Sequence, residues 1–248
     1  MQLVLPKRLL LLQEVSLREQ TASSQRQSDC QKGASGLGQA YVRALVAANV
    51  HVCFGDVDGA EGQKLAAELK GTKFVQCDVT KWQDQLQLFQ KAAASSPTGK
   101  IHYVVANAGV ARKHEVFQSD SDGLKEPNLS IVDINLKGAL YTTKLAMHYF
   151  IKQNGTEVPS SQEDTCLVLI GSGASHLDVP RGPQYSSTKW TMRGIIHSMR
   201  RTTHFYGSRI NMISPWYVRA KILSEQLSST SKTREWNLRR WRTLVGVF

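Results

Sequence analysis

From residue 38 onward, short continuous apolar runs alternate with longer stretches in which apolar residues recur every three to four positions. GQAYVRALVAAN (38–49) has helical spacing, with Ala40, Leu45 and Val46 on one side, and the β-rich run VHVCFGD (50–56) follows it. GAEGQKLAAELK (59–70) predicts a helix, KFVQCDVT (73–80) a strand, and KWQDQLQLFQKAAAS (81–95) a helix stopped by Pro97 and Gly99. IHYVVANAG (101–109) predicts a strand with a polar, glycine-containing end. A loop rich in Asp, Ser and Gly leads to one long helical pattern over 129–153, then to the continuous apolar strand TCLVLIGS (165–172). Helical spacing returns over 183–206, and RINMISP (209–215) is the last clear strand. This alternation predicts an α/β fold, a doubly wound parallel sheet of Rossmann type with helices on both faces.

A length of 248 residues with 41% hydrophobic side chains suits one such domain. No apolar run approaches a membrane span, so no membrane partner is expected. The opening MQLVLPKRLLLLQEVSLREQ mixes basic residues with leucines, but Glu14 ends the apolar run early and no small-residue cleavage site follows, so a targeting peptide is not expected. The four cysteines, Cys30, Cys53, Cys77 and Cys166, form no C-x-x-C pair, and three lie in or beside strand-like runs. They read as buried thiols of a reducing, cytoplasmic compartment. The seven histidines show no ligand spacing, and no metal site is expected.

A net charge of +11 invites a nucleic-acid partner, and its distribution argues against one. Residues 1–32 carry five Lys/Arg against three Asp/Glu, and residues 217–248 seven against two, so most of the excess sits at the ends. The tail SKTREWNLRRWR, with Trp236 and Trp241, reads as a solvated charge run before it reads as a phosphate contact.

Two stretches carry chemistry. GASGLG (33–38) opens a helix; glycine and serine clusters are common turns, but at the carboxyl end of a strand such a loop offers amides and a helix N-terminus to a phosphate. Gly36 and Gly38 let backbone approach a pyrophosphate closely. Asp56 lies 18 residues after Gly38, at the end of the next strand, where a carboxylate binds ribose hydroxyls and repels a 2′-phosphate, or else caps the following helix. In GSGASHLDVPRGPQYSSTKW (171–190), Tyr185 and Lys189 are four apart and share one helical face, so the ammonium favours the phenolate and moves the phenol toward a general base. Ser172 closes the preceding strand. Within the intervening HLDVPRG (176–182), Leu177 and Val179 are expected to line part of a pocket, while His176 is either a polar contact or incidental.

Residues 33 to about 223 resemble the short-chain dehydrogenase/reductase family, because DVT at Asp78, NAG at Asn107 to Gly109, NLKG at Asn135, and Ser172, Tyr185 and Lys189 fall in its order and spacing. The wording of YVVANAG and DINLKGALYTTKLAMHYF is similar to fungal secondary-metabolism members of the 5′-hydroxyaverantin dehydrogenase type and to 15-hydroxyprostaglandin-dehydrogenase-like enzymes. The resemblance implies an oxidoreductase passing hydride between a secondary alcohol or ketone and nicotinamide. Asn135 then holds a water in a proton relay through Lys189, Ser172 orients the substrate oxygen, and Tyr185 exchanges the proton. Cofactor contacts fall to Ser35, Gly36, Leu37, Gly38, Asp56, Asp78, Val79, Asn107, Ala108, Gly109, Tyr185, Lys189 and Pro215. Asp56 favours NAD, with NADP the alternative. Homodimers or homotetramers through the helices at 128–153 and 183–206 are implied too.

The ends depart from that pattern. Gln31 and Lys32 stand where the family has Thr-Gly, and polar SSQRQSDC precedes the loop where the family's central first strand belongs, in the strand order 3-2-1-4-5-6-7. PKRLLLLQEV (6–15) is apolar enough for that slot, but Val15 lies 18 residues before Gly33, so a displaced helix is the preferred reading. An empty slot leaves neighbouring strand edges unpaired, at a cost of about several kcal/mol. Trp216 stands where the family usually has Gly, and either breaks the pattern or shapes an aromatic-lined substrate pocket; Ala220 stands where a Thr often contacts the nicotinamide carboxamide, and after about Leu227 the match stops. The expected organisation is an atypical extension over 1–32, a dehydrogenase-like domain over 33–223 with first and last strands missing or replaced, and a basic tail over 224–248. The alternative function is a catalytically impaired relative arising from aberrant exon boundaries.

Overall fold

A computed structural model describes residues 9–13, 36–111, 115–117, 119–155 and 157–216. Among these, six parallel strands form one sheet in the order β3-β2-β1-β4-β5-β6. The strands are β1 (Leu9–Gln13), β2 (His51–Asp56), β3 (Thr72–Gln76), β4 (Tyr103–Ala106), β5 (Thr165–Ile170) and β6 (Ser208–Ile213). The longer helices are α1 (Leu37–Ala47), α2 (Gly59–Glu68), α3 (Trp82–Ser95), α5 (Gly138–Asn154) and α6 (Pro183–Met199), with a single turn α4 (Ser130–Val132) before α5. Strand then helix then parallel strand is the expected doubly wound arrangement, and both faces of the sheet are covered.

The central slot is occupied, which corrects the displaced helix. Leu9–Gln13 pairs in parallel with His51–Gly55 on one side, and its residues Leu10–Gln13 with Tyr103–Ala106 on the other. The edges of β2 and β4 are therefore paired, and the feared loss of backbone bonds does not arise. The first strand is thus replaced rather than lost, and it draws residues 9–13 into the sheet of the domain. Gln31, Lys32, Gly33, Ser35, Cys30, Ala220 and the expected missing last strand lie outside the described residues.

Two cores sandwich the sheet. On one face Leu88, Phe89 and Ala92 of α3, Leu145, Ala146 and Phe150 of α5, and Met192 and Ile195 of α6 pack on Cys53, Val104, Leu167 and Leu169. On the other, Val42 of α1 and Leu65 of α2 pack on Val52, Phe54, Val105 and Ile170. Buried on both sides, β2 and β5 read as unbroken apolar runs because neither face meets water. Cys53, Cys77 and Cys166 are free and buried, as expected, and burial pushes the Cys53 and Cys77 thiols up to about 12. No helix among the described residues is long and apolar enough to cross a membrane.

The long pattern over 129–153 is not one regular helix. Asp133–Lys137 between α4 and α5 is a π-helical segment, and it carries Asn135. Such widened turns insert a residue into a helix and gather at functional sites. The pattern over 183–206 likewise stops at Met199, with a separate 3₁₀ turn at Thr203–Tyr206.

Candidate active site

The site forms at the carboxyl ends of the strands, where β4, β5 and β6 meet the π segment and α6. Asn135 is 2% exposed, and its side chain is fully engaged: Oδ1 accepts from Val110 N at 2.8 Å, while Nδ2 donates to Val110 O at 2.9 Å and to Thr188 Oγ1 at 3.1 Å. The widened turn is what lets a helical residue face the loop after β4 so squarely. Thr188 in turn donates to Tyr185 O at 2.8 Å. The amide network thus ties the β4 loop to the helical turn that carries Tyr185.

Lys189 is buried, and its Nζ donates to Ile170 O at the end of β5 at 2.9 Å. The same ammonium sits 5.8 Å from the centroid of the Tyr185 ring. Burial lowers its pKa from 10.5 to about 8, since the charged form is the one that loses water. Gly109 closes the cluster from the β4 side. A Cβ at that position would lie 3.3 Å from Lys189 Nζ and 3.6 Å from Asn135 Oδ1, so glycine keeps this corner open to small polar groups. Asn135, Tyr185, Lys189 and Gly109 are brought together as their order in the chain suggested.

Ser172 stands two residues beyond β5, and its Oγ accepts from Ala174 N at 3.2 Å while Ser175 Oγ accepts from Ser172 N at 3.0 Å. This reciprocal cap starts the 3₁₀ turn Gly173–Ser175 and holds the serine in extended backbone. Pro215 lies beside it, its carbonyl accepting from Gly173 N at 2.8 Å.

The remaining predicted contacts lie toward β1, β2 and β3. Gly36 precedes α1 with φ of 85°, a left-handed conformation that glycine adopts without strain, and Leu37 and the buried Gly38 begin the helix. The first turn of α1 holds no acidic residue of its own. Asp56 is fully buried at the end of β2, and its Oδ1 accepts from Asp58 N at 2.9 Å. The helix cap proper belongs to Asp58, which accepts from Ala60 N and Glu61 N. Asp78 accepts from Thr80 N and Thr80 Oγ1, shaping the turn after β3, and Val79 packs against α5, where a Cβ on Gly138 would lie 2.9 Å from Val79 Cγ2. Asn107 and Ala108 continue from β4 as half-buried residues. A glycine-led helix start, a buried acid at the next strand and an open corner at Gly109 fit a dinucleotide laid across the strand ends.

Several supporting residues were not singled out from the sequence. Thr188 bridges Asn135 and Tyr185. Gln184, 5% exposed, donates to Asn128 O at 3.1 Å and accepts from Val116 N at 3.5 Å, joining α6 to the loop before α4. Gln85 on α3 donates to Val79 O at 2.6 Å and Gly138 O at 2.9 Å. The adjacency of Thr188 to Lys189, three after Tyr185, was a usable signal; the partners of Gln85, Gly138 53 residues away and Thr142 57 residues away among them, left none. Leu177 and Val179 line a groove of about 320 Å³ with Phe117, Pro180, Pro183 and Trp190. None of Asn135, Ser172, Tyr185 or Lys189 lines that groove. His176 is exposed, 3.3 Å from Ser214 Oγ, and its pKa is lowered by desolvation and by Arg193.

The family model for short chain dehydrogenase matches residues 32–231, and the chain belongs to that family, whose members are oxidoreductases. A 5′-hydroxyaverantin dehydrogenase from Dothistroma septosporum is 31% identical over 207 residues, covering 77% of this chain and 67% of the relative. The NADP-dependent dehydrogenase clz5 of Cochliobolus lunatus is 32% identical over 200 residues, covering 75% and 68%. Among solved structures, a 3-ketoacyl-(acyl-carrier-protein) reductase from Brucella melitensis complexed with NADH superposes with a TM-score of 0.69 at 17% identity, over 87% of this chain and 78% of that one. A short-chain dehydrogenase from Burkholderia phymatum in complex with NAD gives 0.67 at 18%, over 87% and 68%. The family acts on small molecules with a nicotinamide cofactor.

Proposed function

We propose that the chain interconverts a secondary alcohol and its ketone, with NAD as the preferred cofactor and Tyr185 as the group that exchanges the hydroxyl proton. A nicotinamide cofactor held by Gly36, Gly38, Asp56 and Gly109 would supply the hydride acceptor for oxidation of the carbinol carbon and the hydride donor for the reverse reduction. Ser172 Oγ orients the substrate oxygen; Tyr185 takes the proton as the C=O bond forms and gives it back in reduction. Lys189 stands behind the phenol, and Asn135 fixes the backbone around a water that passes the proton onward. The observation that supports this reading best is the convergence of Lys189 Nζ and Asn135 Oδ1 on the Gly109 corner, with the ammonium 5.8 Å from the Tyr185 ring.

Asp56 supports NAD, because a 2′-phosphate would meet a buried carboxylate at the end of β2. A role in fungal secondary metabolism is supported by the fungal relatives, a 5′-hydroxyaverantin dehydrogenase among them. The free, buried thiols among the described residues support a cytoplasmic location. Exposed Leu140 and Ile151 on α5 and Trp190 on α6 support a homodimer or homotetramer through these helices. The test is NADH titration of the purified chain followed by fluorescence, with turnover of a panel of secondary alcohols followed by NADH absorbance. Absence of saturable binding at millimolar NADH would reject the reading and leave the impaired relative. Binding without turnover of any alcohol or ketone would have the same consequence for catalysis.

A further inference from the structure

The buried face of α3 consists of Gln85, Leu88, Phe89 and Ala92. The last three are apolar, as helical spacing toward a core requires, whereas the first is an amide with no exposure at all. A buried amide is costly unless its hydrogen bonds are made, so its partners say what it is for. Gln85 Nε2 donates to Val79 O at 2.6 Å and to Gly138 O at 2.9 Å, and Oε1 accepts from Thr142 Oγ1 at 3.0 Å. One planar NH2 group thereby fixes the spacing of two backbone oxygens from different elements, which apolar packing of the same volume does not do.

Both oxygens belong to parts of the site. Val79 follows Asp78 in the turn after β3, and the opening of α3 also holds the other end of that turn, Asp84 Oδ2 accepting from Asp78 N at 3.0 Å. The strand order is β3-β2-β1-β4-β5-β6, so a dinucleotide with its nicotinamide at the Gly109 corner after β4 extends past Gly36 at the start of α1 toward the ends of β2 and β3. Its adenosine end then falls at this turn. Gly138 follows the π segment and closes it, its N–H donating to Asp133 O. Asn135 lies within that closed turn. Gly138 also rests directly on Val79, since a Cβ there would lie 2.9 Å from Val79 Cγ2 and 3.3 Å from Val79 O. The glycine contact and the amide bridge are separate observations, and each sets the widened turn of Asn135 against the Asp78–Val79 turn.

We propose that Gln85 is a positioning residue: its amide holds the Asp78–Val79 turn and the π segment at one spacing, so that the adenosine end of the cofactor and the Asn135 side of the Gly109 corner are set together. For the reaction this rests on the oxidoreductase reading above; the bridge itself needs no cofactor. Gln85→Met keeps the volume and removes both donated bonds. With the spacing released, AMP, which carries only the adenosine end, and NADH should each bind about tenfold more weakly, and kcat at saturating cofactor should fall about tenfold with the KM of the alcohol unchanged.

The test takes the full chain as wild type, Gln85→Met and Gly138→Ala through calorimetric titration with AMP and NADH, turnover of the secondary-alcohol panel, and amide exchange. Gly138→Ala puts a methyl group against Val79 and forces the same two parts apart from the other side, so it should act in the same direction, and the combined variant should lose less than the product of the two. In both variants the amides of Val110 and Gly138, the first bonded to Asn135 and the second closing its turn, should exchange about tenfold faster relative to β2 and β5 amides. A role in stability alone would lower the unfolding midpoint and speed all of these amides together, leaving AMP affinity and kcat of the folded variant within about threefold of wild type. That result overturns the proposal, as does a loss of AMP affinity without a loss of kcat, or the reverse. Failure of one variant to fold leaves the other to decide. Wild-type turnover beside a Gln85→Met chain that keeps AMP affinity and kcat rejects the bridge and keeps the oxidoreductase reading. No NADH binding by wild type, with exchange at Val110 and Gly138 raised locally in Gln85→Met, keeps the bridge and rejects that reading.

Discussion

Asn135 and Val110 exchange a reciprocal pair of hydrogen bonds, Val110 N donating to Oδ1 at 2.8 Å and Nδ2 donating to Val110 O at 2.9 Å. A side-chain amide here stands in for a neighbouring strand and satisfies a buried loop that has no ladder of its own. Asn135→Ala therefore leaves a donor and an acceptor without partners, and should destabilise the chain by about 3 kcal/mol. Urea unfolding of the variant measures it; a change below about 0.5 kcal/mol would mean that the loop finds other partners.

Tyr185→Phe removes only the hydroxyl and keeps the ring beside Lys189. If the phenol exchanges the substrate proton, turnover should fall by about a thousandfold, within the range of general acid–base catalysis. The unfolding midpoint should stay put, since no hydrogen bond of the hydroxyl holds the fold together in the networks described above. Turnover within about threefold of wild type would remove Tyr185 from the chemistry.

At the end of β2, Asp56→Asn keeps an acceptor for Asp58 N–H and removes the charge. The NADPH-to-NADH affinity ratio should rise about tenfold, the cost of one like-charge contact being roughly 1.4 kcal/mol. Fluorescence titration with both cofactors reads the ratio directly. An unchanged ratio would confine Asp56 to shaping the turn before α2.

The sheet was legible wherever a strand is buried on both faces, because HVCFGD and TCLVLI have no polar positions inside and only one reading. LLLLQ of β1 was not: a run of four leucines fits a helix or a strand by periodicity alone, and the distance to Gly33 argued for the helix. What decides it is pairing with β2 and β4, a non-local gain that local pattern does not contain. In the site, Tyr185 and Lys189 could be paired because four residues make one helical face. The π segment at Asp133–Lys137 could not be foreseen, since the bond that accompanies it joins Asn135 to a loop 25 residues away.

The position of β1 makes its own prediction. Its amides pair on both sides, so those of residues 10–13 should exchange as slowly as those of β2 and β5, near the rate of global unfolding. Leu11→Pro removes a donor from a central strand and should cost about 3 kcal/mol or more. Fast exchange of residues 10–13 beside protected β2 amides would show that the central slot is filled by some other segment.

Lys189 ties stability to pH with a definite sign. Burial holds its pKa at about 8 in the fold against 10.5 for the free side chain. Between those values the unfolded chain binds the proton and the folded chain does not, so this residue makes stability rise as pH rises from 8 to 10.5. Below 8 both states are protonated and the fold carries the whole cost of a desolvated ammonium, about 3 kcal/mol. Above 10.5 both are neutral and that cost is gone. Lys189→Met cancels the dependence, whatever it costs at Ile170 O, because Met does not titrate. The stability of wild type relative to the Met variant should therefore improve by about 3 kcal/mol between pH 7.5 and pH 10.5 in urea unfolding. Taking the difference removes the contribution of every other titrating group that the substitution leaves alone. A flat difference across that range would mean that Lys189 keeps its ordinary affinity for the proton, and with it the hydration that the buried site beside Gly109 denies it.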